Sequence, residues 1–242
     1  MLPNYFDEPV ASRYDADSAE MFRPDVVDPA IDVLAELARE GRVLEFAIGT
    51  GRLALPLAAR GLLVSGIELS AAMAEQLKAK PDAEHVDVTI GDMATTRVNG
   101  SFQLVYLVFN TINNLTTQEA QVECFRNAAT HLDAGGAFVV EVGVPQLQRL
   151  PPGERFRVFT ATPDRLGIDE YDVVTQGLVS HHHWVEDGRA RSVSMPFRYV
   201  WPAELDLMAR IAGMTLRSRW ADWHRARFTS SSRSHVSVWV KD

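Results

Sequence analysis

The sequence predicts an α/β fold: a doubly wound, mostly parallel sheet with a small antiparallel β insertion after its fifth strand. Three observations carry this. From residue 30 to residue 144 short apolar runs alternate with helix-length amphipathic segments, the rhythm of parallel strands covered on both faces by crossover helices. Pro145, Pro151, Pro152 and Gly153 then break the chain, and the residues from 156 to 200 read as short strands with turns. Finally, one helical pattern and two strand patterns return near the C-terminus.

Taken in order, strands are expected at 43–47, 64–68, 86–90, 103–109 and 137–144, with helices at 28–40, 51–60, 70–80 and 117–132. Gly61 is a candidate helix C-cap, and Gly135-Gly136 marks a tight turn ahead of the fifth strand. Within the insertion, Asp187-Gly188 separates the runs 178–185 and 189–200 as a hairpin turn would. Trp201-Pro202 opens a helix over 203–212, because proline suits the first helical turn. Strands near 214–220 and 234–240 follow. The chain therefore reads as one domain over 1–242. Its parts are an N-terminal segment (1–27), an α/β core (28–144), an antiparallel insertion (145–201) and a C-terminal return to the core sheet (202–242).

Composition narrows the function. An apolar content of 46% and a charged content of 23% are those of an ordinary globular protein. No apolar run approaches the ~20 residues that span a bilayer, and the start MLPNYFDEPV lacks the basic and apolar regions of a secretory signal. A single cysteine, Cys124, allows no internal disulfide and fits a cytoplasmic location. The net charge of -8 argues against nucleic acid as a partner. That charge is uneven: residues 189–242 hold ten basic and four acidic residues, against fourteen and twenty-eight in residues 1–188. No membrane partner is expected, and a homodimer is one assembly the sequence allows.

The stretch from Val43 to Ser70, VLEFAIGTGRLALPLAARGLLVSGIELS, carries the chemistry. An apolar run containing Glu45 leads into small residues at Ala47, Gly49 and Gly51, which let the backbone turn sharply and approach a ligand closely. A second apolar run ends in Glu68, where a strand-tip carboxylate can accept both hydroxyls of a ribose. A nicotinamide dinucleotide would favour GxGxxG. The third glycine is missing here, with Ala54 in its place. A carboxylate at Glu45 would also repel a pyrophosphate, whereas it suits a cationic α-amino group.

With Gly91-Asp92-Met93 added in order, the pattern resembles the class I S-adenosylmethionine-dependent methyltransferases over residues 30–145. It is nearest to the small-molecule N-methyltransferases of the amino-sugar or glycine type. The resemblance implies a Rossmann-like seven-stranded sheet whose last strand is antiparallel, with S-adenosyl-L-methionine as cofactor and S-adenosyl-L-homocysteine as product. It also implies site residues. Glu45, Ala47, Gly49 and Gly51 would line the methionine and ribose side, Glu68 would hold the ribose, and Leu69 would lie beside the adenine. Asp92 would accept the adenine amino group, and Met93 would pack on the ring or offer its backbone N–H. Asn110 would contact the methionine part, and Tyr14 would fold over the cofactor.

The acceptor is written in loops. The polar segment Phe109 to Leu115, which includes Asn113, follows the fourth strand and resembles the corresponding segment of small-molecule N-methyltransferases. Ligands of such sheets bind at the carboxyl ends of the strands, so an antiparallel last strand brings the connection Ala221–Ser234 to that side. Trp223, Arg225 and Arg227 there are candidate substrate residues for a polar or anionic acceptor. His181, His183, His224 and Tyr14 are candidate catalytic groups. In a strand His181 and His183 share one face while His182 points oppositely. No metal site is expected, because adjacent histidines do not converge on one ion. The function expected is methyl transfer to nitrogen or oxygen of a small polar molecule. The alternatives are a nicotinamide-dependent oxidoreductase and a catalytically silent module that binds S-adenosylmethionine.

Overall fold

Strands buried on both faces build the central sheet in the computed structural model, which describes residues 5–186 and 188–242. Its strands are β1 (Val43–Phe46), β2 (Val64–Glu68), β3 (Val86–Ile90), β4 (Phe102–Leu107), β5 (Leu132–Gly143), β10 (Met214–Trp220) and β11 (Ser234–Lys241), in the order β10-β11-β5-β4-β1-β2-β3. β11 is antiparallel to both its neighbours, and β1 to β5 pair in parallel. Leu44, Phe46, Val105, Leu107, Phe138 and Val140 face one layer, which holds α6 (Gln118–His131) and α7 (Pro202–Ile211). Val43, Leu104, Tyr106, Ala137 and Val139 face the other, with α3 (Pro24–Ala38) and α4 (Ala54–Ala59). Both faces are thus covered, which is why the strands read as nearly continuous apolar runs.

Local chemistry sets the helix starts. Ser70 opens α5 (Ala71–Lys78) by accepting the N–H of Met73, and Thr117 opens α6 by accepting that of Ala120. Pro202 stands in the first turn of α7, and Gly61, at φ +85°, lies just past α4. Gly66 in β2 is required by close approach, since a Cβ there would lie 2.4 Å from Ile48 Cδ1 of the loop crossing above it.

Residues 156–198 form a second sheet, wholly antiparallel, in the order β6 (Phe156–Ala161), β7 (Arg165–Asp172), β8 (Gly177–Glu186) and β9 (Arg189–Arg198). The hairpin expected at Asp187-Gly188 does join β8 to β9, although Asp187 itself lies outside the described residues.

Three expectations need correction. β5 begins at Leu132 rather than at 137, and Gly135-Gly136 lies within it, at an irregularity in its register with β4, rather than in a separate turn. Gly135 takes φ +75°, which lets the strand absorb the bend without ending. The segment 1–27 contains the short helices α1 (Glu8–Ala11) and α2 (Tyr14–Asp17) and the start of α3. These helices are too short to show a periodic pattern in the sequence. Finally, α4 begins at Ala54 and not at 51, because the turn through Gly51 at φ +83° precedes it.

His235 in β11 is fully buried, with Nδ1 2.8 Å from Ser237 Oγ and with Nε2 lacking a partner among the described residues. Burial, reinforced by Arg219 and opposed by Asp206, pushes the imidazole down to about 4. The unfolded chain takes up this proton first, so the histidine's contribution is intact above pH ~6.5 and lost as pH falls towards 4. The loss is about 3 kcal/mol. Urea unfolding of wild type and His235→Leu across this window is expected to diverge by that amount, and parallel curves would contradict it.

Candidate active site

A pocket forms where β1, β2 and β3 end. Its floor is the turn after β1, which needs left-handed backbone at Ala47 (φ +52°) and Gly49 (φ +59°). Glu68, at the end of β2, is buried and faces this pocket. Its Oε2 accepts the N–H of Gly49 at 2.7 Å, and its Oε1 accepts that of Ser70 at 2.8 Å. Burial pushes this carboxyl up, while bonds from Ser70, Gly49 and Leu69 pull against the shift. Leu69, Met73 and Met93 give apolar walls, with Asp92 at the end of β3. Asp92 Oδ1 accepts the N–H of Ala94 at 2.8 Å, so one residue both shapes its turn and lines the pocket. A buried carboxylate, apolar walls and a second acidic group offer hydrogen-bond acceptors beside an apolar surface, a combination that fits a nucleoside.

Tyr14, from α2, closes the pocket, and the ring of Phe6 meets it edge-on at 6.2 Å. The backbone of Phe6 is tied down by the hydroxyl of Ser70. Asp15 pins the same segment from below, accepting from Thr50 at 2.6 Å and pairing with Lys80.

Two expected residues of the loop do not line the pocket. Glu45 is 4% exposed and lies behind it, accepting a 2.6 Å bond from the Tyr106 hydroxyl. Burial pushes the Glu45 carboxyl up to about 8, although Tyr106 and Arg52 oppose the shift. Gly51 faces Leu77 of α5, where a Cβ would lie 3.0 Å from its side chain. Its glycine serves packing and the turn.

A second chamber of ≈ 540 Å³ adjoins this pocket, sharing Phe6, Tyr14, Thr111 and Asn114 with it. One wall is the segment after β4. Asn110, at φ +62°, accepts the Gly143 N–H at 2.6 Å, and it lines this chamber rather than the cofactor pocket. Asn113 lines it as well, with a buried Oδ1 that has no partner among the described residues. The facing wall is one side of the antiparallel sheet, contributed by Arg157 of β6, Asp169 and Tyr171 of β7, Leu178 and Ser180 of β8, and Phe197 of β9. Arg149 and Arg233 lie at its rim.

The histidine patch requires a correction. Ser180 faces the chamber, so strand alternation puts His182 on the chamber side and turns His181 and His183 away. His181 is engaged there by Ser194 at 2.8 Å and Glu170 at 3.4 Å. The connection before β11 also departs from expectation. Arg225 pairs with Glu36 of α3 at 2.6 Å and stacks on Trp220, and Trp223 and His224 line a separate cleft against α3. Arg227 bridges back to Trp220. The acidic face of α3 therefore draws this arginine-rich loop away, and only its last arginine, Arg233, reaches the chamber. Asp169, Arg157 and Tyr171 were missed because isolated polar residues in short strands leave no motif; the faint signal available was their common parity along β6 and β7.

A family profile described as a methyltransferase domain matches residues 43–136. The chain is 37% identical to the CcbJ methyltransferase of Streptomyces caelestis, over 91% of each chain and with a TM-score of 0.81. Two more distant structures share the fold. One is the SAM-bound amino pentose methyltransferase CalS10 of Micromonospora echinaspora, with 20% identity over 95% of this chain and 96% of that one and a TM-score of 0.72. The other is DesVI of Streptomyces venezuelae, with 21% identity over 96% and 98% and a TM-score of 0.72. The putative methyltransferase YqeM of Bacillus subtilis is 30% identical over 110 residues, 45% of this chain and 44% of that protein. The chain thus matches about half the length of its curated relatives. Among the described residues no helix is long and apolar enough to cross a membrane.

Proposed function

We propose a reaction from one premise: the chain belongs to the class I S-adenosylmethionine-dependent methyltransferases. The reaction is transfer of a methyl group to a nucleophilic nitrogen or oxygen of a small polar molecule held in the second chamber. One observation carries this reading: the pocket at the ends of β1 to β3 opens past Tyr14, Thr111 and Asn114 into a polar chamber of its own. The cofactor supplies an electrophilic methyl group. The chain's part is to orient the acceptor towards it and to exclude water, which is where much of the acceleration of an in-line displacement lies.

In this reading Glu68 holds the ribose hydroxyls, Leu69, Met73 and Met93 enclose the adenine, and Asp92 accepts its amino group. Tyr14 and Phe6 close the site, making residues 1–27 a lid and residues 145–201 the acceptor cap. Arg149 and Arg233 have no carboxylate partner among the described residues, which supports an acceptor bearing an anionic or strongly polar substituent. A nicotinamide cofactor is disfavoured by Ala54 in place of the third glycine, and the 37% identity is to a methyltransferase.

Glu45 offers a sharp test. With its carboxyl at about 8 it holds a proton at pH 7. Glu45 would give up that proton if a cationic group were bound in the adjoining pocket, because a nearby positive charge favours the ionised form. Calorimetric titration with S-adenosylhomocysteine at pH 7, in buffers of different ionisation enthalpy, is expected to show release of close to one proton. Glu45→Gln is expected to abolish the release. Absence of binding sinks the cofactor assignment, and binding without proton release sinks the role of Glu45. Radiolabelled methyl transfer then separates an enzyme from a silent module.

A further inference from the structure

The chamber wall contains one carboxylate. Among the described residues lining the chamber the other ionic groups are Arg149, Arg157 and Arg233, and the remainder are amides, hydroxyls and apolar side chains. That carboxylate, Asp169, is half-buried in the middle of β7 and held in place from the neighbouring strand. Ser180, 8% exposed, donates to its Oδ1 at 2.9 Å, while Oδ2 takes no hydrogen bond from the described residues. On the far side of the same hydroxyl lies His182 Nε2, at 3.2 Å. The ring of Phe159 meets this histidine at 5.4 Å, and the imidazole remains partly exposed beyond it. Asp169, Ser180 and His182 thus form a connected line from the chamber to solvent.

We propose that Asp169 receives the amino group of the acceptor and takes its proton, with Ser180 and His182 as the proton's exit, so that the molecule methylated here is a small-molecule amine. This rests on the methyltransferase reading and deepens it. The choice of amine over hydroxyl follows from proton affinities. Ordinary aspartate and alkylammonium values differ by ~6.5 units, and that gap closes when a carboxyl is buried and an ammonium lies among arginines. Water, standing for a simple hydroxyl, ionises near 15.7, ~12 units above aspartate, beyond the reach of an unaided carboxylate. Burial pushes Asp169 up, with Ser180, Arg157, His182 and His181 acting in the opposite sense. The positive charge of Arg157 on β6 meanwhile favours a neutral amine.

The step balances within the chain. An N–H bond of the ammonium breaks, its proton passes to Asp169, and the freed lone pair is the nucleophile. Asp169 then donates to Ser180 Oγ as the serine hydroxyl donates to His182 Nε2. Burial and the nearby Arg165 hold His182 below its ordinary value despite Asp169, so the imidazole returns the proton to solvent readily. That one proton is all that separates a starting ammonium from its neutral, reactive form, and this line gives it a path to solvent.

The test uses matched amine and hydroxy probes with radiolabelled S-adenosylmethionine: glucosamine beside glucose, alanine beside lactate, and alaninamide beside lactamide. Label is expected in at least one amine and in no hydroxy partner. On that amine Asp169→Asn is expected to lower kcat ~100-fold, with S-adenosylhomocysteine affinity within twofold of wild type to show that the fold and cofactor site persist. Asp169→Glu is expected to recover part of the loss. Ser180→Ala is expected to move the acidic limb of the kcat profile while leaving KM for the donor unchanged. Label confined to hydroxy probes, no label in any amine, or an Asp169→Asn variant within threefold of wild type overturns the proposal. Failure of wild type to bind S-adenosylhomocysteine overturns the methyltransferase reading instead.

Discussion

Replacing Glu68 with alanine is expected to weaken S-adenosylhomocysteine binding by roughly 10- to 150-fold, the loss of one hydrogen bond to a charged acceptor, worth about 1.5–3 kcal/mol. The side chain already serves two backbone N–H groups, from Gly49 and Ser70. An ionised carboxylate has about four lone-pair directions, so it can hold both loops and still accept ribose hydroxyls. This double duty makes Glu68→Gln informative. A glutamine keeps the shape but turns an NH₂ group towards one of two N–H donors, leaving a buried donor facing a donor. Affinity is therefore expected to fall nearly as far as in the alanine variant, and amide hydrogen exchange at Gly49 to quicken. Calorimetry and exchange measured together decide the point: a glutamine variant that binds like wild type would show that the carboxylate charge is not needed. Because burial raises this carboxyl, affinity should also begin to decline on acidification above the ordinary glutamate range.

The parts of this molecule that were legible in the sequence are those whose physics is local. β2, β3 and β10 fall on the spans expected, because the loop and turn residues on either side set their ends. Glu68 and Asp92 could be placed because strand-tip position follows from those runs. The acceptor chamber was not legible to the same degree. Its wall depends on which side of the antiparallel sheet faces inwards, and that follows from how the sheet docks, not from its own sequence. His182 and not His181 lies on the chamber side for this reason. Long-range charge pairing hid the rest. Arg225 looked free to meet a substrate, but Glu36, 189 positions away, takes it at 2.6 Å. Conversely Glu45 was read as an ionised wall of the pocket, whereas burial beneath the turn and the bond from Tyr106 make it a proton-holding group behind that wall.

How the cap stays docked rests on Arg198, the last residue of β9, which is 4% exposed. Its guanidinium donates to Gln121 of α6 and, at 2.7 Å, to Glu204 of α7. Gln118 of α6 and Gln176, in the turn before β8, donate to the same Glu204 carboxylate at 2.9 and 2.7 Å. Gln121 also donates to the Arg198 carbonyl at 3.2 Å. Five polar side chains thus join the antiparallel sheet to the helical layer of the core, each satisfied by another. Removing one charge from such a buried set leaves its partner uncompensated, at a cost of about 3–5 kcal/mol. Arg198→Ala is accordingly expected to lower Tm by roughly 6–20 °C for a chain of this size. Glu204 adds a sign that distinguishes this from simple loss of packing. Burial pushes its carboxyl up, but bonds from Gln176, Arg198 and Gln118 outweigh that and hold it below the ordinary value. Its contribution is then present above the unfolded glutamate value and lost as pH falls through the folded one. Thermal melts of wild type and Arg198→Ala are expected to lie furthest apart near neutral pH and to converge in acid. A constant gap across that range would assign Arg198 to packing alone, and a gap of under 2 °C would mean that the cap is held by its other contacts.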